Sequence, residues 1–276
     1  MILRLFKQSY FSQIVTLIIL TIILWLPAFL KPYPVLVTES NTFTAFLFLQ
    51  APMNLHFLGV SLGLILLLIE AFLLSYLFSA HQLTHRNNFL SGFLFMLFLS
   101  RTPEHLGLYP GLLALLFILL GLIKLLENFK SARNYNLLLT ASIWFSLASL
   151  FTPGVILLYP VIWISLILFQ SFSWRSIPIS LIGLFLPYFF ISISYYWYDE
   201  SLLYIAQIKN LLGSLITLPH LPMTNEIIEF SVSAALLILA SSFIIPRIGN
   251  QVISIRKKTY FMYWFLGFSI AISFYN

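Results

Sequence analysis

The chain has 276 residues, of which 61% are hydrophobic and 8% charged, and its net charge is +6. A soluble domain carries about 25% charged residues, and this chain has too few to cover its surface in water. The positive balance does not point to nucleic acid, because the basic residues sit in short segments between apolar runs, where they orient membrane proteins. The lack of Cys excludes disulfides and Cys-based metal sites.

A spanning helix needs about 20 apolar residues to cross roughly 30 Å of hydrocarbon. Inside lipid every backbone N–H and C=O must be bonded within the chain, so long apolar runs mean helices. Nine runs meet this description. The first covers 14–30, and Arg4 and Lys7 ahead of it, with no small-residue cleavage site after Pro27, mark a retained helix rather than a cleaved signal. The second covers 57–80, broken only by Glu70. The third, 88–100, is short. The fourth, 110–126, opens with a proline, which the first turn of a helix tolerates. The fifth and sixth, 136–151 and 153–169, are separated by Thr152-Pro153-Gly154, a tight-turn signal; they read either as two spans or as two half-helices. The seventh covers 177–197, the eighth 230–245 and the ninth 260 to the C-terminus.

Two outer loops are long. Thr42–Gln50 in the first is apolar enough to lie on the membrane surface. In the second, Leu202, Ile205, Ile208, Leu212 and Ile216 recur at near-helical spacing over 201–218, which predicts another interfacial helix. The fold expected is an all-α integral membrane protein, one transmembrane domain over 1–276. It is a polytopic bundle of about nine transmembrane helices with two interfacial helices in outer loops.

Charge orients this bundle. With the N-terminus in the cytoplasm, 11 of the 14 Lys and Arg fall inside; Lys31, Arg101 and Lys209 fall outside. The positive-inside rule asks for this asymmetry. The expected location is a bacterial inner membrane, with a cytoplasmic N-terminus and a periplasmic C-terminus. Six of the eight acids, Glu39, Glu104, Asp199, Glu200, Glu226 and Glu229, face outward.

The residues that could carry chemistry are few. There is no phosphate loop, dinucleotide fingerprint or HExxH, so no cofactor is implied; a divalent metal has no ligand set to support it. Glu70 lies midway along the second helix, where a carboxylate is costly unless protonated, paired or facing water. It is either a substrate-binding or coupling group, or a neutral acid bonded to a neighbouring helix. Arg101-Thr-Pro-Glu-His105 places a cation, an acid and an imidazole within five residues at the outer surface. Arg101 could pair with an anionic headgroup, and Glu104 or His105 could move a proton; the alternative is an interfacial salt bridge capping the third helix. Glu39 is a catalytic carboxylate or a solvated loop acid. Asp199-Glu200 reads as the start of an interfacial helix, since acids favour a helix N-terminus. His81 and His85, at i and i+4, could share a metal, but no third ligand is near. The Arg256–Lys258 cluster fits contact with anionic lipid.

The opening MILRLFKQSYFSQ, the long first run and the KPYP that follows resemble a family of Bacteroidota multi-pass inner-membrane proteins, a domain of unknown function. That resemblance implies topology and lineage. The outer-loop acids Glu39 and Glu104, and the Leu147–Trp163 stretch LASLFTPGVILLYPVIW, resemble the membrane modules of GT-C glycosyltransferases. This second resemblance implies transfer of a sugar from a polyprenyl-phosphate carrier at the outer face. It departs from those modules in offering a lone Glu39 and no large C-terminal soluble domain.

Three functions therefore stay open. One is a GT-C-like transferase or degenerate relative, with Glu39, Glu104 and His105 catalytic and Arg101 on the phosphate. Another is a non-enzymatic subunit or scaffold of an inner-membrane complex. The last is a small-solute transporter using Glu70. The expected partners are membrane lipids, a polyprenyl-phosphate carrier and inner-membrane proteins, with no nucleic acid.

Overall fold

The structure is a computed structural model. It describes residues 10–30, 56–84, 89–100, 106–129, 134–199, 201–216 and 251–273, with isolated positions between 231 and 249. Every regular element among them is helical. In chain order these are α1 (Tyr10–Leu30), α2 (His56–Ala80), α3 (Leu90–Leu99), α4 (Pro110–Asn128), α5 (Tyr135–Phe151), a 3₁₀ segment (Pro153–Leu158), α6 (Pro160–Leu168), α7 (Ser176–Trp197), α8 (Ser201–Ile216) and α9 (Ile253–Ser273).

Three helices among the described residues are long and apolar enough to cross a membrane: α2 over Phe57–Ala80, α4 and α7. The other expected spans are shorter or different. The run expected at 88–100 yields α3, only 10 residues, or about 15 Å at 1.5 Å per residue. That is half the hydrocarbon thickness. The sixth run, 153–169, is not one helix. Pro160 has no N–H to give and its ring would clash with the carbonyl four residues back. The chain therefore winds as a 3₁₀ segment to Leu158 and restarts with Pro160 in the first turn of α6. The ninth helix begins at Ile253 instead of residue 260, so Arg256, Lys257 and Lys258 lie within its first two turns. The stretch expected to form the second interfacial helix is helical, as α8. The eighth run, 230–245, and the first-loop helix at Thr42–Gln50 lie outside the continuously described residues.

The described residues divide into two compact units, 1–123 with 150–152, and 124–149 with 153–276. In the first unit, α1, α2 and α3 bury Leu17, Trp25, Val60, Leu67, Phe93 and Met96, with Leu106 from the segment leading into α4 and Leu112 from its first turn. Apolar burial in lipid gains no hydrophobic free energy, so close packing and polar contacts must hold helices together. Both are present. Trp25 Nε1 donates to Ser100 Oγ at 3.1 Å, and Thr21 Oγ1 contacts Met96 Sδ. Residues 150–152 belong to this unit through Phe151, which stacks on Phe117 with ring centroids 5.6 Å apart.

In the second unit, α6 and α9 meet through Phe169 and Phe261, whose ring centroids are 5.5 Å apart. Phe129 packs edge-on against Phe169. Lys258 Nζ sits 5.4 Å over the Phe129 ring, a cation–π contact that lets a lysine sit 95% buried.

Helices α2 and α6 stop in the same way. Gln82 and Gln170 each adopt φ 56, and the next residue's N–H reaches back to the third-last carbonyl, Leu83 to Phe78 and Ser171 to Leu166. This is the Schellman closure, with glutamine in the left-handed position where glycine is usual. Asp199 takes φ 57 between α7 and α8. It therefore ends one helix by a left-handed turn, as well as preceding the next.

Candidate functional site

Of the residues singled out above, Glu39, Arg101, Glu104 and His105 lie outside the described residues, as do His85 and Glu200. Glu70 is described, and the site is built around it.

Helix α2 is 25 residues long, or about 37 Å, and Glu70 stands near its middle. Its helical neighbours at i±3 and i±4 are Leu67, Leu66, Leu73 and Leu74. None can donate a hydrogen bond, so any partner must come from another helix. Gly63, two turns earlier on the same face, fixes what that face meets. A Cβ at Gly63 would fall 2.6 Å from the Gly107 carbonyl carbon. α2 therefore touches the backbone that leads into α4.

Glu70, two turns further on, is fully buried. The backbone of Leu116 approaches it without completing a hydrogen bond of good geometry. Neither carboxyl oxygen has a hydrogen-bond partner among the described residues. An unsatisfied neutral polar group costs about 1–3 kcal/mol, and an unpaired buried charge costs several. The neutral acid is the less costly form, and its O–H and carbonyl oxygen are unbonded among the described residues. Chemically, such a group can release and take back a proton or bind a small hydrogen-bonding or cationic ligand.

A second polar feature escaped the sequence reading. In the second unit, Ser142, Ser146 and Ser149 line one face of α5 and meet α7. A Cβ at Gly183 would fall 2.5 Å from Ser142 Cβ. Ser146 Oγ donates to the Leu184 carbonyl at 2.6 Å, and Ser149 Oγ lies 2.8 Å from Tyr188 Oη. The Tyr159 hydroxyl donates to the Ser180 carbonyl, and Trp163 Nε1 donates to Ser180 Oγ at 3.1 Å. Tyr204 of α8 donates to the Tyr188 carbonyl at 3.1 Å. These groups are satisfied by one another, so the seam glues helices together. Its signal was available in the sequence as serines at 142, 146 and 149, spaced for one helix face.

His81 is buried in the turn after α2. No group of three or more His, Cys, Asp or Glu among the described residues is placed to hold a metal. Comparison with protein-family models, curated proteins and solved structures finds no match.

Proposed function

We propose that this chain is a multi-pass inner-membrane protein, cytoplasmic at its N-terminus and periplasmic at its C-terminus, that carries a small solute across the bilayer with Glu70 as the coupling group. One observation carries the reading: Glu70 is fully buried in the middle of an apolar span and neither carboxyl oxygen is hydrogen-bonded among the described residues. An acid kept at such a cost in a membrane helix marks a proton or solute site by default. Protonated, Glu70 fits its apolar surroundings; deprotonated, it needs a cation or water. That difference is what couples a proton to a conformational change.

The test is reconstitution in vesicles loaded with a pH-sensitive dye, challenged with panels of sugars, amino acids and organic cations. A solute that drives proton movement with the wild type, and not with Glu70→Gln, supports the reading. Equal flux in Glu70→Gln would sink it. A carbodiimide, which modifies protonated carboxyls in apolar sites, should label Glu70 in the resting protein.

A second reading is favoured by α8. Its apolar residues Leu202, Leu203 and Ile205 are exposed, as on a helix lying in the membrane interface, and GT-C modules carry such helices in their outer loops. In this reading Arg101 binds a lipid-linked phosphate, and Glu39, Glu104 and His105 serve an acceptor. Loss of a cell-surface glycan in Glu104→Gln at normal membrane abundance, with the glycan kept in Glu70→Gln, selects it over transport.

A further inference from the structure

The depth of the short helix α3 inside the first unit is set by its contacts with α2. Phe89, just before α3, meets Phe72 edge-on at 5.6 Å, and Gly92 lies against Ala71. The two helices run in opposite directions, so climbing α3 means going back along α2. Ser100, eight residues past Gly92, stands about 12 Å above the Ala71 level. That is the level of Gly63, eight residues back along α2. Gly107 reports the same level independently, because its backbone meets Gly63. Trp25 of α1 shares it too, since its Nε1 donates to Ser100 Oγ.

Helices α1 and α2 both continue past this level. α2 extends outward to His56, or about 10 Å further, and α1 to Leu30, or about 8 Å further. Phe29 and Phe57 hold these ends together, with ring centroids 5.4 Å apart. Centred in roughly 30 Å of hydrocarbon, α2 overshoots by only a few Å at each end. Ser100 and Gly107 therefore lie about 7 Å inside the hydrocarbon edge.

Around Gly107 the backbone at this depth is not helical, and Gly107, Leu108 and Tyr109 are only half-buried. A Cβ at Gly107 would meet nothing within 4 Å, so open space adjoins it. Irregular backbone at membrane depth is tolerated only where protein buries it or water reaches it. Protein buries this stretch incompletely, which leaves water. The sequence that joins Ser100 to Leu106, Arg101-Thr-Pro-Glu-His105, is polar, and polar residues within a membrane need water or a partner. Glu70 lies on the same face of α2 as Gly63, about 10 Å deeper.

We propose that the first unit holds a water-filled recess, open to the outer face and floored by the Trp25–Ser100 and Gly63–Gly107 contacts. This recess is the outer mouth through which a proton and a hydrophilic solute reach Glu70. The recess itself stands on the depths of Ser100 and Gly107; its role as a mouth rests on the transport reading of Glu70.

The chain has no cysteine, so single cysteines in the full chain report water directly. Gly107→Cys and Ser100→Cys should react in intact spheroplasts with a membrane-impermeant cationic methanethiosulfonate. Leu26→Cys and Leu62→Cys are the controls, each one residue from the same level and each about half exposed on an apolar helix surface. The recess pair should react about a hundredfold faster, because the reactive thiolate hardly forms in an apolar setting. Equal rates for the two pairs overturn the recess. Reaction only after the cytoplasmic side is opened overturns its outward opening. In right-side-out vesicles, modifying Gly107→Cys should abolish solute-driven proton movement, while the same treatment leaves Leu62→Cys at its starting rate. Complete modification of Gly107→Cys with unchanged flux overturns the mouth. If flux is instead equal in the wild type and Glu70→Gln, the transport reading fails, and the labelling pattern still decides the recess.

Discussion

Gly92 of α3 lies against Ala71 of α2 so closely that a Cβ at Gly92 would sit 2.5 Å from the Ala71 carbonyl oxygen. The two helices meet backbone to backbone, one residue beyond Glu70. The Ser75 hydroxyl closes the same contact, also at 2.5 Å from that Cβ. Because the obstacle is backbone, it cannot swing away. Gly92→Ala should therefore lower stability in detergent by about 1–3 kcal/mol, the usual cost of overpacking. Gly59→Ala on α2 is the control, since nothing lies within 4 Å of a Cβ there. It should be neutral or stabilising by up to about 1 kcal/mol. Equal thermal unfolding of the two variants would contradict this packing.

Glu70→Leu should raise thermal stability. It removes an unsatisfied buried carboxyl and restores the leucine pattern around it, for a gain of about 1–3 kcal/mol. Glu70→Gln should leave stability close to the wild type, because an amide is no better paired there. A Glu70→Leu protein that unfolds more easily would mean the carboxyl has a stabilising partner in solution.

The seam between α5 and α7 predicts a measurable coupling. Ser149 and Tyr188 contact through their hydroxyls at 2.8 Å. A double-mutant cycle with Ser149→Ala and Tyr188→Phe should return a coupling of about 0.5–1.7 kcal/mol, the range for hydrogen bonds between membrane helices. A coupling of zero would mean that the two hydroxyls do not bond each other in the folded protein.

The natural absence of cysteine makes topology directly readable. Single cysteines at Thr84 and Phe172, both exposed, should react with a membrane-impermeant maleimide only after the cytoplasmic side is opened. A cysteine at Tyr198, which is 73% exposed, should react in intact spheroplasts. Labelling of all three from one side would reject the proposed arrangement.

Some of this protein was written in its sequence because the membrane imposes a local requirement. A run of about 20 apolar residues must become a helix wherever it lies, so α2, α4 and α7 could be placed to within two residues. The spacing of Leu202, Ile205 and Ile208 likewise announced α8. Glu70 stood out for the same reason: one acid among leucines is visible without any neighbour in space.

What only the tertiary structure decided are the long-range pairings. Leucine against lipid and leucine against another helix look the same in one dimension, so nothing local says which face packs. Ser146 finds the Leu184 carbonyl 38 residues away, and Gly63 meets the Gly107 backbone because Gly63 has no Cβ to hold the two apart. The apolar run alone starts the last helix at residue 260, whereas the fold starts it at Ile253 and sets the Lys258 cation over Phe129. For Glu70 the sequence could state that no helical neighbour would pair with it. Only the fold could show whether another helix supplies the missing donor, and among the described residues none completes the bond.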